Sequence, residues 1–242
     1  MLTLDLRYFP LESGDRVLDL GCGEGRHAIH FYLVAEVTSL GVDISARDLA
    51  TAARRFAPFA RPEDQTRSFH LQRADAARLP YADASIDKLV CSEVLEHLPD
   101  YQPVLKEIRR VIKPGGLVAI SVPRAWPERI CWALSREYHQ VEGGHVRIFN
   151  GRALCREIEA QGLVFIRRHW AHALHTPYWW LRCLLWKNQE KSLLVRAYHR
   201  LLVWDLMQHP WLTRTLEKCL NPLCGKSLVM YFRAPEHKEN RP

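Results

Sequence analysis

The chain predicts an α/β protein with a mostly parallel sheet and helices on both faces. Two observations carry that expectation. Apolar runs of strand length alternate with stretches of helical character along the chain. The turn Asp19-Leu20-Gly21-Cys22-Gly23-Glu24-Gly25 lies between a strand-type run and a stretch that can be helical. Its three glycines at alternate positions let the backbone pass close to a bound molecule, where any Cβ would fill the space the ligand needs.

Each element has a local reason. Val17 to Leu20 is the first strand, and its helix starts near Gly25. Val37 to Val42 is the second strand, ended by Asp43. Ser45 caps a helix reaching Ala60, with Pro62 beyond its end. Phe69 to Arg73 and Ile86 to Ser92 are strands three and four. A helix over Pro103 to Ile112 is stopped by Lys113-Pro114-Gly115-Gly116, and Leu117 to Val122 is strand five. Asn150 caps Gly151 to Gln161, with Gly162 as the stop, before strand six at Leu163 to His169. Ser227 to Arg233 is the last strand, stopped by Pro235, and the polar tail Glu236 to Pro242 is expected to fray.

The bulk numbers set limits. With 242 residues, 48% hydrophobic and 25% charged, the chain has enough apolar content for one sizeable core and is not of disordered type. A net charge of +7 fits contact with an anionic surface. The first residues lack the basic start and apolar core of a secretory signal, and no apolar run is long enough to span a bilayer. Seven scattered cysteines without a C-x-x-C pair read as reduced thiols, so the expected compartment is the cytoplasm.

The glycine turn also discriminates between nucleotides. A dinucleotide site has G-x-G-x-x-G, but its third glycine would fall on Arg26, too bulky for close helix–strand packing. No G-x-x-x-x-G-K-[ST] stretch occurs. The pattern is D-x-G-x-G-x-G, and the acid at its head suits a cationic ligand such as a sulfonium amino acid, while it would repel a pyrophosphate. Asp43 lies at a distance that suits a carboxylate accepting from ribose hydroxyls.

Five motifs in order give a resemblance. They are Val17 to Gly25, Gly41-Val42-Asp43-Ile44-Ser45, Ala74 to Tyr81, Ser85 to Leu98 and Leu105 to Leu117. Together the chain resembles the class I S-adenosylmethionine-dependent methyltransferases of the small-molecule type, the family that includes the ubiquinone-pathway methyltransferases. The resemblance implies a single domain over 1–242 with a Rossmann-like seven-stranded, mostly parallel sheet whose last strand is antiparallel. It implies that S-adenosyl-L-methionine is the cofactor, bound by Asp19, Gly21, Cys22, Gly23, Glu24, Asp43, Ile44, Asp75, Ala76 and Ser92. Asp43 matches the ribose-binding acid, and Asp75 the residue that accepts from the adenine amino group.

Two stretches exceed the family's minimal sheet, 123–149 and 171–226, and both follow strands whose ends should lie near the ligand crevice. The second is a helical insertion between strands six and seven, rich in Trp, Arg and Lys. Its prolines divide it into helices at Tyr178 to Lys187, opened by Thr176-Pro177, then Glu190 to Gln208 and Trp211 to Leu220. Leu194, Ala197, Tyr198, Leu201 and Trp204 share one face, and Leu212, Leu216, Cys219 and Leu220 another. These faces suit packing on the sheet, a lid over an apolar substrate, or peripheral contact with a membrane.

For chemistry, His97 after strand four and His145 in Gly143 to Phe149 are the candidate general bases. His169, His172 and His175 invite a metal, but residues three apart in an extended strand point to opposite faces, so none is expected. The motifs of DNA-directed methyltransferases are absent, so no DNA partner is expected. The expected activity is methyl transfer to a small, hydrophobic, lipid- or quinone-like acceptor. A soluble metabolite, an RNA, or cofactor binding without catalysis are the rival expectations.

Overall fold

A computed structural model describes residues 2–141 and 143–236, so the expected fraying of the tail falls, from residue 237 on, outside the described residues. Seven strands form one sheet: β1 (Arg16–Leu20), β2 (Thr38–Asp43), β3 (Ser68–Arg73), β4 (Ile86–Ser92), β5 (Ile112–Pro123), β6 (Val164–Ala171) and β7 (Ser227–Arg233). Their order is β3-β2-β1-β4-β5-β7-β6. β1 to β5 pair in parallel, and β7 runs antiparallel to both β5 and β6. The expected seven-stranded sheet with an antiparallel last strand is therefore the observed one.

Alternation along each strand divides the core between the two faces of the sheet. Leu18, Leu89, Cys91 and Phe232 pack on one face with Leu105, Ile108 and Ile158. Val17, Val90, Ala119 and Tyr231 pack on the other with Phe9 and Phe31. Burial on both faces explains why the central strands read as nearly unbroken apolar runs.

The helices are α1 (Arg26–Val34), α2 (Ala46–Phe56), α3 (Gln102–Val111), α4 (Ala125–Leu134), α5 (Glu137–Gln140), α6 (Gly151–Ala160), α7 (His175–Leu184), α8 (Leu193–Gln208) and α9 (Trp211–Cys224). Ser45 caps α2 by accepting from Asp48 N, and Asn150 caps α6 by accepting from Arg152 N and Ala153 N. Beyond Phe56 the expected helix tightens into a single 3-10 turn, Ala57–Phe59, around Pro58.

Three expectations about boundaries need correction. Lys113 to Gly116 is not a free turn before strand five. The register jumps from Ile86–Ile112 to Lys88–Leu117, so the four residues bulge within β5. Thr176 is not a cap: α7 begins at His175, and the Thr176 hydroxyl donates to Cys224 O at 2.6 Å. Asn221-Pro222 does not stop α9, which continues to Cys224. Side chains satisfy its last carbonyls, Arg124 Nη1 donating to Leu223 O at 3.1 Å beside the Thr176 bond.

The insertion packs with its expected faces outward. In α8 the buried residues are Val195, Leu202 and Asp205, while Leu194, Leu201 and Trp204 are 66%, 48% and 48% exposed. In α9 the buried residue is Glu217, and Leu212 and Leu216 face solvent. No helix among the described residues is long and apolar enough to cross a membrane.

Candidate active site at the carboxyl edge of the sheet

The strand order reverses at β1, which has β2 on one side and β4 on the other. Open parallel sheets hold ligands outside the carboxyl ends of their strands at such a point. The glycine turn after β1 is clipped to the end of β2, because Gly21 N and Cys22 N donate to Val42 O at 2.8 and 2.9 Å. Gly21 and Gly23 have φ of +70° and +50°, which side chains disfavour. A Cβ on Gly21 would lie 2.3 Å from Val94 Cγ2, whereas one on Gly23 would meet nothing within 4 Å. The turn is thus packed from behind and open in front.

Asp43 closes this turn. Gly23 N donates to its Oδ2 and Ser45 N to its Oδ1, each at 2.8 Å. Each oxygen keeps acceptor capacity, and the residue stays partly exposed. Beside it Ile44 is 65% exposed. Asp75 follows the end of β3, exposed, its Oδ1 accepting from Ala77 N at 2.9 Å, with Ala76 packed next to it. Ser92 ends β4, its hydroxyl 2.9 Å from that of Ser121. Glu24 is on the outer rim, paired with Arg55 at 2.6 Å. The carboxyl ends of four parallel strands therefore collect these residues at one edge.

Asp19 and Cys22 are placed differently from the other expected cofactor residues. Asp19 is 1% exposed and does not open onto the crevice. Its Oδ2 accepts from Ala28 N at 3.1 Å, which fixes the start of α1 against β1. Cys22 is also buried, its side chain turned under the turn toward Gly41, so only its backbone is offered to a ligand. An open turn without a Cβ and an anchored carboxylate with spare lone pairs fit an adenosyl group.

A second cluster lies past β4. Glu93 adopts a φ of +58°, sparsely populated for a residue with a side chain. Its N–H donates to Ser121 O, and its Oε1 accepts from Ser121 Oγ, both at 2.9 Å. The tight turn Leu95–His97 follows, and Val146 N donates to Glu96 O at 2.9 Å, bringing the loop with His145 alongside. The rings of His97 and His145 are 5.0 Å apart. His145 Nδ1 lies 2.6 Å from Glu128 Oε1 on α4, and Glu128 also accepts from Trp132 Nε1 and Tyr138 OH.

The electrostatics separate the members of this cluster. Burial and then the charge of Glu93 push Glu96 well above the usual carboxylate range. Burial also pushes Glu128 up, but the hydrogen bond and charge of His145 outweigh it and leave it below its ordinary value. Burial, then His145, lowers His97, whose Nδ1 is 3.3 Å from Gly144 O. The sequence brought forward both histidines but not Glu128. It is 17 residues from His145, on a helix with no motif, and only the packing of α4 reveals it.

Similarity to known proteins identifies the family. A family profile described as a methyltransferase domain matches residues 2–167. The chain belongs to the S-adenosylmethionine-dependent methyltransferase family. It is 39% identical over 112 residues to the 27-O-demethylrifamycin SV methyltransferase of Amycolatopsis mediterranei, covering 46% of this chain and 40% of that protein. It is 34% identical over 126 residues to the ubiquinone biosynthesis O-methyltransferase of Albidiferax ferrireducens, covering 50% and 46%. The chain thus matches less than half the length of either relative. Among solved structures, a putative methyltransferase of Bacillus halodurans superposes with a TM-score of 0.64 at 18% identity, covering 95% of this chain and 96% of that one, a likeness of fold alone.

Proposed function

We propose that this chain transfers a methyl group from S-adenosyl-L-methionine to an oxygen of a small, apolar, lipid- or quinone-like acceptor. The observation that carries the reading is the joint between glycine turn and Asp43, held by two amides at 2.8 Å in the family's ribose-binding position. The cofactor, when bound, supplies a methyl group already activated on a sulfonium. Asp43 accepts from the ribose hydroxyls, and Gly21, Cys22 and Gly23 offer backbone at close approach. Ile44 gives the adenine an apolar wall, Asp75 and Ala76 meet its polar edge, and Glu24 and Ser92 border the crevice. Asp19 acts from behind by fixing α1.

Oxygen attack needs the acceptor's proton removed. We assign this role to His145; its Nδ1 contact with Glu128, which leaves Nε2 for an acceptor, supports the assignment. His97 borders the same space. Tyr138 packs beside His145 with Trp179 and Trp186 on its other contacts, and this aromatic cluster next to the proposed base supports an apolar acceptor over a polar metabolite. The exposed Leu193, Met207, Trp211 and Leu223, interleaved with Arg196, Arg200, Arg214 and Lys218, support peripheral contact with an anionic bilayer.

Calorimetry with S-adenosylhomocysteine tests the cofactor site. Asp43→Ala is expected to weaken binding by about 10- to 100-fold, the loss of hydrogen bonds to a charged acceptor. Methyl transfer to hydroxylated quinones tests the rest. His145→Ala is expected to lower kcat by about 100-fold or more while cofactor affinity holds. A native chain that binds no S-adenosylhomocysteine would sink the reading, and turnover indifferent to His145 would remove its base.

A further inference from the structure

The junction of α8 and α9 with the end of β6 buries charge where hydrocarbon would be expected. Asp205 and Glu217 face inward at 4% and 9% exposure. β6 ends at Ala171, and His172 takes a left-handed φ of +67°, which turns the chain and sets its ring 5.6 Å from that of His175. The strand geometry expected to separate these two histidines therefore does not extend to them. His169 stays apart, stacked on Tyr231. One ligand-type atom from each of His172, His175 and Glu217 lies within 4.8 Å of the other two. His175 Nδ1, Glu217 Oε1 and Asp205 Oδ1 are sealed from solvent with no hydrogen-bond partner among the described residues. Each such atom carries a desolvation cost that no hydrogen bond from the described residues offsets.

We propose that His172, His175 and Glu217, with Asp205 beside them, bind a divalent transition-metal ion, Zn2+ by ligand type, that fastens α8 and α9 to β6. Two imidazoles and carboxylate oxygens suit four-coordinate zinc, whose bonds of about 2.0–2.2 Å would draw the ligand atoms to about 3.3 Å of one another. His172 Nε2 is 3.2 Å from Thr3 Oγ1, the kind of oxygen partner that fixes the tautomer of a ligating imidazole. An open cavity of about 880 Å3, bordered by Thr3, His172 and Glu217, gives the ion a way in.

The ion would leave the methyl-transfer reading untouched, since it is placed at the insertion and not at His145. The test is titration of the metal-free full chain with Zn2+ by calorimetry and with Co2+ by visible absorption. One ion per chain is expected, with an intense four-coordinate Co2+ band that Zn2+ bleaches. Glu217→Gln and His175→Asn should each weaken binding at least tenfold. Glu96, His97 and His145 form a second such group, so Glu96→Gln is the control and should leave the affinity unchanged. Zn2+ should also slow tryptic cleavage within α8 and α9 of the native chain, a readout that requires no variant to fold. The proposal is overturned if the native chain binds neither ion, if Glu96→Gln abolishes binding that Glu217→Gln spares, or if Zn2+ leaves that cleavage unchanged.

Discussion

Asp19 is held at a pKa raised to about 7, because burial disfavours its charge and the Ala28 amide and Arg26 offset only part of that. Its neighbour His27, Nδ1 3.8 Å away, is kept well below its usual value by burial and Arg26, so the two form a neutral pair. The sign of the pH effect follows. A carboxyl whose folded pKa lies above its unfolded value contributes its full stability below about pH 4 and loses it as pH rises through 7. Asp19→Asn keeps an acceptor for Ala28 N without the charge. It should stabilise the chain at pH 8 by up to about 4 kcal/mol, and the gain should vanish near pH 4, as urea unfolding at the two pH values would measure. A gain equal at both would refute the neutral pair. Asp43, by contrast in position, is partly exposed and held at the glycine turn by two amides. Its place was legible because a strand end and a fixed spacing determine it. The burial of Asp19 was not legible, since it depends on how α1 closes over β1.

Among the elements, the helices capped by Ser45 and Asn150 started where expected. Asn150 is the clearest, its Oδ1 accepting from Arg152 N at 3.0 Å and Ala153 N at 3.2 Å. Asn150→Ala should cost about 1 kcal/mol by loss of that cap, read as a lower urea midpoint with unchanged slope. The misreadings came where tertiary partners replaced local ones. Pro222 sits inside α9 because Arg124 and Thr176, distant in sequence, supply donors to its last carbonyls. The Lys113–Gly116 segment stays in β5 because its backbone also bonds to the segment after β7, Gly115 N to Ala234 O at 3.0 Å and Ala234 N to Gly116 O at 2.9 Å.

At the scale of the molecule, the sheet sets its ligand edge at the turns after β1, β2, β3 and β4, and the insertion leaves an apolar, basic surface beyond β6. If that surface docks on membranes, the chain should cosediment with vesicles containing anionic phosphatidylserine and much less with neutral phosphatidylcholine vesicles. Binding should weaken with salt, since screening shortens the reach of Arg and Lys, and Trp211→Ser with Leu212→Ser should reduce it severalfold. Equal sedimentation on both lipids would argue against the basic residues, and none on either against docking. The sequence by itself determined the alternation of strands and helices, the glycine turn and its aspartate, because each follows from neighbours a few residues apart. Only the tertiary structure decided that α8 and α9 turn acids inward and that Glu128 meets His145. Those contacts join segments whose spacing carries no periodic signal, and the packing of whole elements alone brings them together.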